Sequence, residues 1–200
     1  MARALFQPFL KYLSDNRYRA VAVLSGTLLM VGLMAWVSQH YSVGYVPVHH
    51  RCLPYAAWIV EKGKIPPRYG YISFTTSGVP YIPDGTRWVK ILNGLPGDRI
   101  ETEVIPKEQR SKHLRTVMYN GLPKTLRLQG KLRLIRQDGR ISEYEVFEYD
   151  TKGRPLPMIT PGIIPPGHYF VSTTAPRSYD SRYWGLITET MIYGAAKPLI

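Results

Sequence analysis

The chain has 200 residues, with 26 Lys/Arg against 14 Asp/Glu for a formal net charge of +12, enough for one medium domain with a real core plus an appendage. Fifteen tyrosines, 17 prolines and 17 glycines favour strands and turns over a helical bundle. One cysteine, Cys52, excludes an intrachain disulfide and a Cys-rich metal site, and without an aromatic-basic RNA motif, zinc spacing or Walker loop the positive charge does not point to nucleic acid.

Residues 1–19 are polar and basic, with Arg3, Lys11, Arg17 and Arg19 against Asp15. Residues 20–37 carry no charge, and as a helix they cover about 27 Å, enough for a thin hydrocarbon core. Trp36 and Tyr41 stand where interfacial aromatics belong, and the preceding positive charge predicts a cytoplasmic N-terminus with the remainder across the membrane. The run is long for the apolar part of a cleaved leader, and no clear small-x-small site precedes Gln39-His40, so an uncleaved anchor is expected. The predicted organisation is a basic cytoplasmic tail over 1–19, a transmembrane anchor over 20–38 and a β domain over 39–200. Within that domain, 99–165 is expected to be a variable insertion with extra strands.

Beyond the anchor the apolar period is two. Strands are predicted for Tyr69-Gly-Tyr-Ile-Ser-Phe-Thr, for 87–92 and for His168-Tyr-Phe-Val-Ser. Residues 45–60 mix β-formers with a turn at Leu53-Pro54. The stretch 104–122 is polar and ends in a Tyr119-Asn120-Gly121 turn. Three alternating runs follow, Thr125-Leu-Arg-Leu, Lys131-Leu-Arg-Leu-Ile-Arg and Glu143-Tyr-Glu-Val-Phe-Glu-Tyr, separated by Gly and Asp-Gly as in a meander. A proline-rich loop covers 155–166, and a last short strand is expected at Glu189-Thr-Met-Ile-Tyr-Gly. The expected fold is mainly antiparallel β, tethered by one N-terminal helix, with no βαβ alternation. The block 99–140 carries eleven Lys/Arg against four Asp/Glu, which suits anionic lipid, an acidic partner or a solvated surface.

Lys90 stands inside the apolar strand between Val89 and Ile91. It either faces water or is drawn into an apolar site, where a low dielectric penalises the charged amine and moves lysine toward the range of a general base. Two other constellations matter. One is His49-His50-Arg51-Cys52-Leu53-Pro54, just past the anchor. The other is Ser178-Tyr179-Asp180-Ser181-Arg182-Tyr183-Trp184-Gly185. With Gly94-Leu95-Pro96-Gly97-Asp98 after the lysine strand, their order resembles the signal peptidase I family of membrane-bound serine/lysine peptidases. Within it the chain looks most like the conjugative-transfer branch, the TraF-like pilin-processing peptidases. The marks of that branch are the short Cys-x-Pro turn, Tyr119-Asn120-Gly121, Gly153-Arg154-Pro155-Leu156-Pro157 and the tail Gly194-Ala-Ala-Lys-Pro198-Leu199. The resemblance covers roughly residues 20–200 and is thin between 101 and 150.

The resemblance implies a signal-peptidase-like β domain and assigns roles by position. Cys52 falls on the nucleophile and Lys90 on the general base. Ser178 falls on the hydroxyl that holds the lysine amine, and Asp180 and Arg182 on a supporting ion pair. The backbone amide of Cys52 would donate to the oxyanion. No metal and no cofactor are implied. Cleaving an amide needs a nucleophile, a proton carrier and oxyanion donors, and a lysine is a base only when neutral. The chain departs from the family at three positions: Cys52 replaces serine, His50 stands where a small hydroxyl is common, and Ala56 replaces a glycine. A thiol is the stronger nucleophile and ionises near pH 8.5, so a Cys/Lys pair is chemically sound; an impaired nucleophile is the other reading. His49 and His50 are too close in sequence to Cys52 to meet it easily as a dyad, and a metal site with His40 lacks a fourth ligand.

The expected activity is therefore a membrane-anchored peptidase with its catalytic domain in the periplasm. Its substrate would be a pilin precursor of a conjugative type IV secretion system, either cut or cut and cyclised by transpeptidation. The expected partners are that precursor or a signal peptide, membrane lipid and other conjugation components, with no nucleic acid. Two alternatives stay open: a general signal peptidase acting on secretory leaders, and a catalytically degenerate assembly component.

Overall fold

The uncharged run forms α1, Arg17–His40, in the computed structural model, which describes residues 17–46, 52–119 and 121–199. Its 24 residues extend about 36 Å at 1.5 Å each. Mean hydropathy reaches 2.1 along Tyr18–His40, and Leu28, Leu29, Val31 and Leu33 all stand exposed. Ser25 and Thr27 return their hydroxyls to the carbonyls of Val21 and Val23 one turn back, so neither adds an unmet donor. Apolar around its whole circumference, α1 is long and apolar enough to cross a membrane. Among the described residues, those up to Ser42 and those from Val43 onward form two separate compact units.

The described residues after α1 are mainly β, with antiparallel strands in two sheets. The larger sheet runs in the order β1 (Tyr41–Tyr45), β2 (Ala57–Lys62), β12 (Ile192–Pro198), β3 (Tyr71–Thr75), β4 (Arg87–Gly94), β10 (His168–Ser172) and β11 (Ile187–Thr188). The smaller sheet runs β6 (Leu114–Tyr119), β7 (Leu122–Ile135), β5 (Arg99–Val104) and β9 (Gly162–Ile163), with β8 (Ile141–Phe147) also on β7. Alternation explains both: one face of each strand enters a cluster and the other meets a second cluster or water. Ile100, Leu132, Leu134, Phe147 and Phe170 form the core under the smaller sheet. Ile72, Phe74, Leu92 and Val171 fill one face of the larger sheet, and Trp58, Val60 and Ala196 fill the other.

Three local expectations change. Gly130 separates two predicted strands, but the backbone runs straight through it as the 14-residue β7. A Cβ at 130 would sit 2.2 Å from the Glu103 carbonyl oxygen, and the register against β8 slips between Leu128 and Gly130. The glycine therefore serves a close strand approach at a bulge instead of a turn. The polar stretch 104–122 holds a strand as well, because β6 pairs along β7 from Leu114↔Arg127 to Tyr119↔Leu122. The last strand lies later than its apolar run suggests. Residues Glu189–Met191 make a 3-10 turn, and β12 then inserts between β2 and β3. At Gly194 a side chain would meet the Glu61 carbonyl at 2.1 Å, so the glycine admits the neighbouring strand.

Part of the basic block is paired within the fold. Arg110 and Arg127 both reach Glu148, Arg115 reaches Glu145, and Arg133 reaches Glu143. These carboxylates lie on or just after β8, outside the block, so counting charges over 99–140 overstates the field it presents.

Candidate active site

Strand alternation places Trp88, Lys90 and Leu92 on one face of β4, with Ile72 opposite Lys90 and Phe74 opposite Trp88 on β3. Leu92 packs there with Ile72, Phe74 and Val171. Lys90 is only 5% exposed. Its amine donates to Ser178 Oγ at 2.8 Å and lies 5.0 Å from the centre of the Trp88 ring. Among the described residues no carboxylate stands within salt-bridge range of it. A buried lysine held by a hydroxyl, with an aromatic face at its side, is an uncommon use of a charged residue.

Ser178 is fully buried in the loop that follows β10, and that loop is fixed by its own sequence. Asp180 caps the short helix α2, Ser181–Trp184, by accepting from the Arg182 N–H. The same carboxylate takes the Arg182 side chain in two contacts, Nε to Oδ1 at 2.8 Å and Nη2 to Oδ2 at 2.9 Å. Arg182 then donates Nη2 to the Ser178 carbonyl at 2.9 Å and Nη1 to the Glu145 carbonyl at 3.0 Å. Ser181 Oγ accepts the Val171 N–H of β10. Burial works to lower the arginine's pKa, but the adjacent Asp180 carboxylate outweighs it and the net shift is upward, keeping the guanidinium charged. Burial also pushes Tyr183, next in sequence, up to about 12.

The Leu95-Pro96-Gly97-Asp98 turn has a second clamp that no sequence motif announced. Asp98 is fully buried. Its carboxylate accepts from the Leu95 N–H at 2.9 Å and from Arg68 at 2.5 and 3.1 Å, while Arg68 also donates to the Asn93 carbonyl. Gly97, at φ +88°, supplies the left-handed residue the turn needs. Asn93 crosses to Ser172 Oγ at 2.7 Å, tying the end of β4 to β10. Arg68, Asn93 and Ser172 are the polar residues around β4 that reasoning from sequence missed. Arg68 lies 30 positions from its partner and Ser172 lies 79 from Asn93, and only the pairing of strands brings them together.

Cys52 is half-buried with a free thiol, in the turn before β2. Its neighbour Leu53 is buried in the cluster that Val89 and Ile91 pack against, the two residues flanking Lys90. Packing of Leu53 thus ties the turn that carries Cys52 to β4, while the hydrogen-bond partner of the Lys90 amine is Ser178. His49 and His50 lie outside the described residues, as does Asn120 of the predicted Tyr-Asn-Gly turn. Among the described residues, no three of His, Cys, Asp and Glu gather to hold a metal ion.

The profile of the family described as "Signal peptidase, peptidase S26" matches residues 17–200. The chain belongs to that family. It is accordingly a peptidase, and the apolar helix before a β domain agrees with membrane anchoring. The chain is also similar to the conjugal transfer protein TraF of Agrobacterium fabrum (strain C58 / ATCC 33970), at 33% identity over 67 residues. That match spans 34% of this chain and 38% of the relative's length, so it covers well under two thirds of either protein.

Proposed function

We propose that this S26 peptidase cuts a pilin precursor of a conjugative type IV secretion system at the outer face of the inner membrane. Cys52 acts as nucleophile and Lys90 as general base. The observation that carries the reading is the buried Lys90 amine 2.8 Å from Ser178 Oγ, with no competing carboxylate among the described residues. A lysine serves as base when its amine is held against a fixed partner within reach of the nucleophile's proton. The similarity to a conjugal transfer protein supports the substrate class, and α1 would keep the peptidase beside a membrane-embedded precursor.

The step balances on these groups. Cys52 Sγ attacks the scissile carbonyl carbon as its proton passes to Lys90 Nζ, and the backbone N–H of Cys52 donates to the developing oxyanion. Collapse breaks the C–N bond, the leaving amine takes the proton from Lys90, and a thioester remains on Cys52. Water resolves it to a free carboxylate, whereas the precursor's own amine resolves it to a closed ring. Ser178 orients the amine of Lys90, and the Asp180–Arg182 pair fixes the loop that carries Ser178.

Mass spectrometry of the pilin from cells carrying the parent chain, Cys52→Ala or Lys90→Ala tests the reading. Trimmed pilin is expected with the parent and full-length precursor with both variants. Ring closure would show as a further loss of one water. Unchanged maturation in both variants sinks the catalytic assignment.

A further inference from the structure

Two tyrosines to which the sequence assigns no role meet at 6.4 Å, and one of them, Tyr179, packs on the Trp88 ring that flanks the Lys90 amine. Tyr81 sits in the loop between β3 and β4 at φ +67°, a left-handed backbone that residues other than glycine seldom adopt. Gly78 and Gly85, in the same loop, take comparable angles without strain. Three contacts hold Tyr81 in that unfavourable state. Its hydroxyl donates to the Pro155 carbonyl at 3.0 Å, the Arg154 guanidinium lies 4.6 Å from its ring centre, and its ring meets that of Tyr179 at 6.4 Å. Arg154 is itself fixed by Asp150 at 2.7 Å.

Tyr179 stands between Ser178 and Asp180 in sequence. Its hydroxyl donates to the Pro80 carbonyl at 2.9 Å, its ring meets Trp88 edge-on at 6.3 Å and it stacks on Tyr183 at 5.9 Å. Trp88 in turn lies against the Lys90 amine. Three loops, around 81, 154 and 179, therefore converge on two aromatic rings, one of which packs on the Trp88 that flanks the amine. Strain kept at a site by contacts from distant segments marks a place where position matters.

We propose that Tyr81 and Tyr179 are positioning residues that set Ser178 against the Lys90 amine. The Asp180–Arg182 pair holds the Ser178 loop from the helix side, and the tyrosines latch it to the β3–β4 loop from the other. Neither tyrosine touches the reacting atoms; they act through Ser178. This inference rests on the assignment of Lys90 as base to Cys52.

The test uses the full chain in detergent and iodoacetamide as probe. Cys52 is the single cysteine, so labelling followed by mass spectrometry reports one site. Its sulfur displaces iodide while its proton goes to the base. Lys90→Ala should slow alkylation at least tenfold. Tyr179→Phe removes only the hydroxyl, and Tyr81→Gly relaxes the backbone while removing the ring; each should slow alkylation about threefold or more. Neither tyrosine variant should slow it further in a Lys90→Ala background, because the effect runs through the lysine. General loosening of the domain would instead act equally in both backgrounds, and that result overturns the clamp. So does a parent rate in both tyrosine variants when Lys90→Ala is slow. A parent rate in Lys90→Ala removes the base assignment itself, a result distinct from either of the others. If Tyr179→Phe fails to fold, Tyr81→Gly alone decides the comparison.

Discussion

Two arginine–aspartate pairs, one buried and one part-buried, flank the lysine strand, and they solve the same problem in different ways. In each, one carboxylate fixes its own turn through a backbone N–H and also takes a guanidinium in two contacts. Asp180 and Arg182 are two residues apart, so the clamp is nearly local and only 3% of the Arg182 side chain is exposed. Arg68 and Asp98 are 30 residues apart, and a fifth of the Arg68 side chain meets water. The local pair can form as soon as its loop does. The distant pair forms only once the chain before β3 has reached the end of β4. The first secures the partner of the lysine, and the second secures the strand that carries the lysine.

Breaking the pairs one at a time sharpens that contrast. Arg182→Ala leaves a fully buried Asp180 charge without its counter-ion and should cost about 3–5 kcal/mol. Denaturant unfolding of the chain in detergent, followed by tryptophan fluorescence, reads it. Arg68→Ala should cost less, about 2–3 kcal/mol, because water already reaches that side and charge-assisted hydrogen bonds of this kind contribute about 1.5–3 kcal/mol. Equal losses would show that burial of the carboxylate alone, and not that of the arginine, sets the cost.

Alkaline pH probes the first clamp through Tyr183, which burial holds at about 12. Tyrosine in the unfolded chain ionises near 10. Below that value both states are neutral and the contribution is fully present. Between about 10 and 12 the unfolded state loses its proton first, so stability falls as pH rises through that window. Melting curves from pH 8 to 12 should show the decline, and Tyr183→Phe should reduce it without abolishing it, because burial pushes Tyr179 up to about 12 as well. Arg133→Ala is the control on the exposed cross-strand pair with Glu143 and should change stability by less than about 1 kcal/mol, an effect that high salt erases.

Sequence carried the outline of the fold through patterns with a short period. The run 87–92 alternates cleanly and is β4, and the uncharged run after position 19 is α1. Lys90, Ser178, Asp180 and Arg182 were singled out through the resemblance of their short motifs to a family; the Asp180–Arg182 contact is local, two residues apart around a helix cap, whereas Lys90 and Ser178 meet from 88 residues apart. Arg68 and Ser172 were invisible because nothing near them in the chain differs from any other arginine or serine. Gly130 misled for a different reason. A glycine between two alternating runs is also what a turn looks like, and only the Glu103 backbone beside it tells the two apart. Tyr81 gave no signal either, since a left-handed angle is expected of the glycines around it and not of a tyrosine.

The insertion of β12 between β2 and β3 has a consequence for the order of events on the ribosome. Synthesis proceeds at about 5–20 residues per second, so β2 and β3 emerge seconds before residues 192–198. Until those residues arrive, β2 and β3 have no shared neighbour, and the turn bearing Cys52 is not joined through this sheet to the strand bearing Lys90. The Lys90–Ser178 half can pair earlier, through β4 and β10. A nascent chain would thus hold its lysine–serine pair ready before the Cys52 turn is joined to it, and residues 192–198 would bring together the two sides of the proposed site.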